Sequence, residues 1–469
     1  MTCVAAIDQG TTSTKGLLFD SDGNTRVLGG IKHRQVLPRP GRVEHDAAEL
    51  LGNVTQLIDA GIAAGATSIA LTNQGETVIA WNKETGAPIC NAIVWQDQRT
   101  AGGVEALRAA GVEGDVRALS GLPLDAYFSA SKLRWILDNV PEGRALLRAD
   151  RLGLGTTDTF FLQHLTGRYV TDVTTAARTS LMNLDTCVWD ERLCQIFGVP
   201  IEVLPEIVEC DEPVGAVRGV ELSVAIVDQV AALYGHGCRA PGDMKVTFGT
   251  GAFALMISAG RPTTPGTAHT VCWRGPESRT YAADGGVYTA GAAIEWLMRI
   301  GLLSSPAELD ALAGTPAAAS GLYFVPALAG LACPHWDRTA AGLWIGLDNA
   351  TSREDLIKAV LEGIAIRTVE VIEALGGEGA QSGMLSVDGG LARSRYFIQF
   401  FATAAGRQIV VHANNELTAF GAALLAANDT IPINDSEKET IAPATSGDPI
   451  EWRERFSAAR SRASGWRRT

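Results

Sequence analysis

Asp8, Gly10, Thr11, Thr12 and Lys15 fall within one short stretch, and their types suit one task, the gripping of a magnesium polyphosphate. The carboxylate holds the metal through water, the glycine lets backbone approach the phosphates, the hydroxyls add donors, and the lysine answers the charge. About half the chain later stands a second turn of this design, Gly249-Thr250-Gly251, with apolar residues on both sides. Neither turn has the spacing G-x-x-x-x-G-K-[ST], and neither is a G-x-G-x-x-G opening a helix. Asp228 is the third reactive position. It sits where the apolar run Leu222–Val227 gives way to a helical pattern, so the helix N-terminus favours its ionised form. A carboxylate so placed can accept a proton from a hydroxyl in a cleft; an ordinary helix-capping aspartate is the competing reading.

These residues need elements to hold them. Val4–Ile7 and Gly16–Phe19 read as the strands of a hairpin, followed by a third strand near Arg26–Gly30. Asp46 is placed to cap a helix from Ala47 to about Ala64. Two short apolar strands empty into polar segments: Ser68–Leu71 into Thr72-Asn73-Gln74-Gly75-Glu76, and Ala92–Val94 into Trp95-Gln96-Asp97. Open α/β sheets put ligand-binding groups at such strand ends. Further along, Asp284-Gly285-Gly286 reads as a turn opening a helix over Ala290–Leu297, Ser352–Leu375 as a long amphipathic helix, and Asp388-Gly389-Gly390 as a strand-to-helix turn through which a flat ring passes close to backbone.

With 469 residues, two large domains are the natural expectation. The two Gly-Thr turns suggest that each domain presents one phosphate hairpin to a shared cleft. A net charge of −13 argues against nucleic acid or an anionic membrane as the main partner. The arginines near the C-terminus read as the solvated face of a terminal helix or tail. No signal segment or membrane-spanning run is evident, and the eight cysteines are scattered without metal-ligand spacing, so a cytoplasmic protein with reduced thiols is expected.

The motifs together make the chain resemble the FGGY family of carbohydrate kinases, on the actin/hexokinase-type (ribonuclease H-like) ATPase fold, from Cys3 to about Ala427. Two signatures carry the resemblance, Tyr127-Phe128-Ser129-Ala130-Ser131-Lys132-Leu133-Arg134-Trp135 and the segment Gly342–Glu362. Within the family the details are most similar to the glycerol kinase branch: Asp8-Gln9-Gly10-Thr11-Thr12, Pro40–Asp46, Ile93–Asp97 and Leu331–Asp337. The resemblance implies a first domain over 1–227 with the polyol site, a second over 228–430 with the base and the adenosine site, and a tail or helix over 431–469. It implies ATP and Mg2+, with Asp8 holding the metal through water and Asp228 as catalytic base. Glu76, Tyr127 and Gln229 would bind the polyol, with Trp95 and Phe253 as apolar walls. Thr11, Thr12, Lys15, Gly249, Thr250, Gly251, Gly291 and Gly390 would meet the nucleotide.

The departures bear on substrate choice. Gly75 stands where the glycerol kinase branch has an arginine that bonds the polyol, which leaves space for something larger. Val227 stands where that branch has glycine, Glu295 replaces a nucleotide-contacting glutamine, and Ser394 replaces an asparagine. The reading is therefore ATP-dependent phosphorylation of a terminal hydroxyl of glycerol or a similar small polyol. A kinase for a four- or five-carbon polyol or ketose, such as erythritol or xylulose, is the close alternative, and a non-catalytic nucleotide and sugar sensor the remote one. Assembly into a homo-oligomer is left open.

Overall fold

The structure is a computed structural model, and it describes residues 2–275, 279–376, 383–414, 416–432 and 438–467. The chain divides into two compact units. The first comprises Met1–Gly237, His269–Tyr281 and Glu416–Asn434, and the second Cys238–Ala268, Ala282–Asn415 and Asp435–Thr469. The first unit therefore runs on through Asp228 to Gly237, beyond the expected 227/228 division, and the chain returns to it twice.

In the first unit the hairpin is formed by Cys3–Gln9 and Ser13–Asp20, antiparallel, with Asp8 opposite Lys15. Thr25–Lys32 extends it on one side. On the other, Cys3–Gln9 runs parallel to Ser68–Asn73, which runs parallel to Val220–Val227. The register sets Asp8 beside Thr72 and Thr72 beside Ile226. Three parallel strands thus end at one sheet edge, and their next residues are the Asp8 turn, the Gln74–Glu76 loop and Asp228. The helix Ala47–Ala63 covers this sheet through Leu50, Val54, Leu57 and Ile58, with Asp46 accepting from the N–H groups of Ala48 and Glu49. The close packing is visible at Gly61, where a Cβ would lie 2.5 Å from that of Ala5. A four-stranded antiparallel sheet built on Val78–Asn82 and Leu152–Thr156 completes the unit.

The second unit repeats the local plan. Met244–Phe248 and Ala252–Ser258 form an antiparallel hairpin, and Met244–Phe248 runs parallel to Leu385–Gly389, which runs parallel to Ile409–His412. The helices Arg353–Gly376 and Arg395–Ala405 contribute to its core. Here two expectations change. Asp284-Gly285-Gly286 lies inside the strand Arg279–Val287 rather than in a turn, because a Cβ at Gly285 would meet Val371 and Cys333 at 2.9 and 2.7 Å. The terminal helix Pro449–Ala463 is also more than a solvated face. Trp452 and Phe456 enter the core, Trp452 stacks on Phe400, Arg460 pairs with Glu370, and Arg467 bonds the carbonyls of Ala327 and Leu328.

Candidate active site

The first unit holds the polyol candidates other than Phe253. Asp228 opens the helix Asp228–Gly235, and its carboxylate accepts the N–H of Gln229 at 2.6 Å. That bond and the helix N-terminus both favour a charged carboxylate. Val227, just before it, is anchored by its N–H to Thr174 Oγ1 at 2.9 Å. Thr174 is bound in turn to Asp172, whose carboxylate caps the helix Val173–Ala176. Burial, and the neighbouring Asp158 next, raise the pKa of Asp172.

Glu76 is buried in a left-handed conformation, φ 55°. Its carboxylate accepts Nε of Arg178 at 2.6 Å, and the pair is almost fully enclosed, at 5% and 7% exposure. The Arg178 guanidinium lies over the rings of Tyr127 and Phe128, 5.7 and 5.4 Å from the centroids. Tyr127 meets Trp95 edge to face at 5.5 Å, and Trp95 donates from Nε1 to Thr11 Oγ1 at 3.0 Å. Trp95 N donates to Thr77 Oγ1 at 3.2 Å, and two residues on, Asp97 accepts from Val43 N and from the Arg99 guanidinium, while Arg99 also reaches Glu44. The motifs around Glu44 and Asp97 are thus tied to one another beside the segment that carries Trp95.

The loop that carries Tyr127 has its own clamp. Lys132 is fully buried and donates to the carbonyls of Ala126, Tyr127 and Phe128 at 2.8, 2.6 and 2.9 Å. Burial pulls its pKa down to about 7, against the opposing pull of Glu76.

At the hairpin, Gly10 N bonds Ser13 O at 3.0 Å and closes a tight turn. Asp8 accepts the Thr72 hydroxyl at 2.7 Å, and burial raises its pKa. Thr12 is exposed at the tip, while Lys15 pairs with Glu416 at 2.7 Å. Among the described residues no group of three His, Cys, Asp or Glu side chains could cage a metal. A lone carboxylate does suit magnesium, which keeps waters and takes further ligands from substrate phosphates.

In the second unit the nucleotide candidates come together through backbone. Gly390 N bonds Phe248 O, and the N–H groups of Gly291 and Ala292 bond the carbonyls of Gly249 and Thr250, each at 2.9–3.0 Å. The helix Gly291–Arg299 therefore spends its first N–H groups on the turn. What Gly291 supplies is close approach, since a Cβ would sit 2.5 Å from Gly249 O. At Gly390, by contrast, a Cβ would meet nothing within 4 Å, so the turn has an open face. Glu295 is exposed one turn into the helix. Ser394 is buried and caps the helix Arg395–Ala405 by accepting Phe397 N at 3.4 Å, which engages its hydroxyl. Phe253 is half-buried on Ala252–Ser258, against Gly251 and Gly286.

Two working residues were not singled out from the sequence. Arg178 lies 102 positions from Glu76 in a segment with no motif of its own, so nothing local marks it. Lys132 stood inside a signature, but its three carbonyl partners appear only when the loop is folded.

A two-unit α/β chain with a phosphate-type hairpin in each unit and a carboxylate at a strand end defines the sugar-kinase class of ATPase folds. Residues 3–230 match "FGGY family of carbohydrate kinases, N-terminal domain", and 244–429 match the C-terminal domain of the same family. The chain belongs to the FGGY family of carbohydrate kinases, and it is an enzyme of that kind. It is 41% identical to a glycerol kinase of Haloferax volcanii over 91% of this chain and 89% of that one. It is also similar to the crystal structure of Plasmodium falciparum glycerol kinase with ADP, at 30% identity and a TM-score of 0.89, covering 99% and 98% of the two chains. The xylulose kinase of Rhodospirillum rubrum shares the fold, at 24% identity, a TM-score of 0.85 and 98% coverage of both chains. No helix among the described residues is long and apolar enough to cross a membrane.

Proposed function

We propose that this protein transfers the γ-phosphoryl group of ATP to a terminal hydroxyl of glycerol. The observation that carries the reading is Asp228 at the end of the parallel strand next to the one that delivers Glu76, in a chain 41% identical to a glycerol kinase. Asp228 takes the hydroxyl proton as the new O–P bond forms and the bond to the bridging oxygen breaks, releasing ADP. Glu76 orients the acceptor through its hydroxyls, with Arg178 holding Glu76 and with Tyr127 and Trp95 as the wall that excludes water. Asp8 would hold magnesium, which when bound neutralises charge on the transferring phosphates. The candidates for nucleotide contact are Thr11, Thr12 and Lys15 within the first unit and, within the second, the turns at Gly249–Gly251 and Gly390. Lys15 then exchanges Glu416 for phosphate.

Positioning and electrostatics supply most of the acceleration in phosphoryl transfer. A second reading, a longer polyol or ketose such as erythritol or xylulose, is favoured by Gly75 alone. ATP-dependent phosphorylation across glycerol, erythritol, the pentitols and xylulose separates the two by kcat/KM. Asp228→Asn should lower kcat by about a thousandfold or more while nucleotide binding persists. An Asn variant with near-parental turnover removes Asp228 as the base.

A further inference from the structure

Gly75 is not among the residues at positive φ, so backbone conformation does not demand glycine there. Space does. A Cβ at this position would lie 2.8 Å from Cγ2 of Val227 and 3.8 Å from Cγ of Arg178. The second distance is ordinary contact, but the first is closer than real Cβ atoms come. The obstructing atom is a methyl on a β-branched side chain, which has little rotamer freedom to yield. Val227 is also buried, with its N–H tied to Thr174, and it is the residue directly before Asp228. Any side chain at 75 therefore pushes on the segment that aims the carboxylate.

We propose that Gly75 and Val227 form one steric unit, in which the Val227 methyl rather than residue 75 bounds the acceptor pocket beside Asp228. This rests on the reading of that sheet edge as the polyol site. The guanidinium of this pocket belongs to Arg178, which reaches Glu76 from another element and acts as a positioning residue. Two consequences follow for a polyol substrate. Truncating Val227 lengthens the pocket and shifts preference from three carbons toward four, and a side chain at 75 is tolerated only when Val227 has been made smaller.

The test is a double-mutant cycle in the full-length protein with Gly75→Ala, Val227→Ala and both, using glycerol and erythritol as acceptors. Gly75→Ala should lose about tenfold or more in kcat for glycerol, as expected of contacting residues that do not act independently. Val227→Ala should raise the erythritol-to-glycerol ratio of kcat/KM by about tenfold, the worth of roughly one or two methylenes in a pocket. The double variant should recover to within about threefold of Val227→Ala, which is the coupling that contacting pairs show. Additive losses, or a Gly75→Ala enzyme with parental kinetics, overturn the proposal. For Arg178, Arg178→Met should raise KM for the polyol more than it lowers kcat, and Arg178→Lys should restore part of that KM. A kcat loss with KM unchanged refutes the positioning role. Thermal unfolding of the same four Gly75 and Val227 proteins gives a reading that needs no substrate. Gly75→Ala should melt lower than the parent and the double variant should regain that loss relative to Val227→Ala. If the parent phosphorylates no polyol, the functional reading fails by itself, while the melting cycle still decides the steric one.

Discussion

Replacing Lys132 by methionine removes one amine and leaves three backbone carbonyls, of Ala126, Tyr127 and Phe128, without the donor they share. Methionine matches the aliphatic stem, so little packing is lost. A buried polar group without a partner costs about 1–3 kcal/mol; Phe128 O opens the helix Ser129–Asn139 and keeps its intrahelical N–H, so two carbonyls at the low end give about 2 kcal/mol. Against this stands relief from burying an amine whose pKa has been pulled from 10.5 to about 7. At neutral pH the two terms oppose one another, so the telling quantity is how the difference changes with pH. The sign can be separated by pH. Between pH 7 and 10.5 the unfolded chain binds this proton and the folded chain does not, so the parent gains stability as pH rises through that window. The variant has no amine and lacks this contribution, so the gap between parent and variant should widen from pH 7 to pH 9.5. Urea unfolding at several pH values measures the gap, and polyol KM should rise because the Tyr127 loop loses its clamp. A gap that narrows with pH, or a variant with parental stability and KM throughout, refutes the argument.

Two further outcomes can be checked. His45 is buried beside His33, and burial followed by that neighbour holds its pKa at about 4. The unfolded histidine protonates near 6.5, so stability should fall as pH drops from 6.5 toward 4, by at most about 3 kcal/mol. His45→Gln should remove that slope in acid unfolding curves, and an unchanged slope assigns it to other groups. Gly421 faces the helix Asp228–Gly235, and a Cβ there would lie 1.9 Å from the carbonyl of Ala231. Gly421→Ala should cost about 1–3 kcal/mol by overpacking and lower kcat by displacing the helix that carries Asp228. Parental melting and turnover would show that this helix pair has slack.

Much of the arrangement was legible in the chain because it depends on local chemistry. Strand–turn–strand with Asp8 at a strand end follows from apolar runs broken by Gly and Thr. Asp46 as the cap of the helix from Ala47 follows from capping preferences, and it is observed. The two Gly-Thr hairpins announced two units with one local plan, and the sheets bear that likeness. The residue types at positions 8 and 228 named a class of chemistry before any coordinates, and the family resemblance implied the roles of Glu76 and Tyr127.

Tertiary structure decided what depends on contacts distant in sequence. The first unit extends to Gly237 and includes the helix Leu417–Ala426 because Gly235 and Gly421 let those two helices meet backbone to backbone, a fit that no pattern within either helix reveals. Asp284–Gly286 had the composition of a turn but joins a strand, since small residues were needed where Val371 and Cys333 come close. Ser394 stands where the glycerol kinase branch has an asparagine, and only the fold shows it capping the helix Arg395–Ala405. The sequence also showed the arginine at 75 as lost and Val227 as an unrelated change. Only the folded chain sets the Val227 methyl against Gly75 and brings Arg178 to Glu76 across 102 residues. Patterning fixes which residues can do the chemistry, because strand and turn preferences act over a few residues. Packing fixes which of them share a wall, because van der Waals contact depends on distance in space alone.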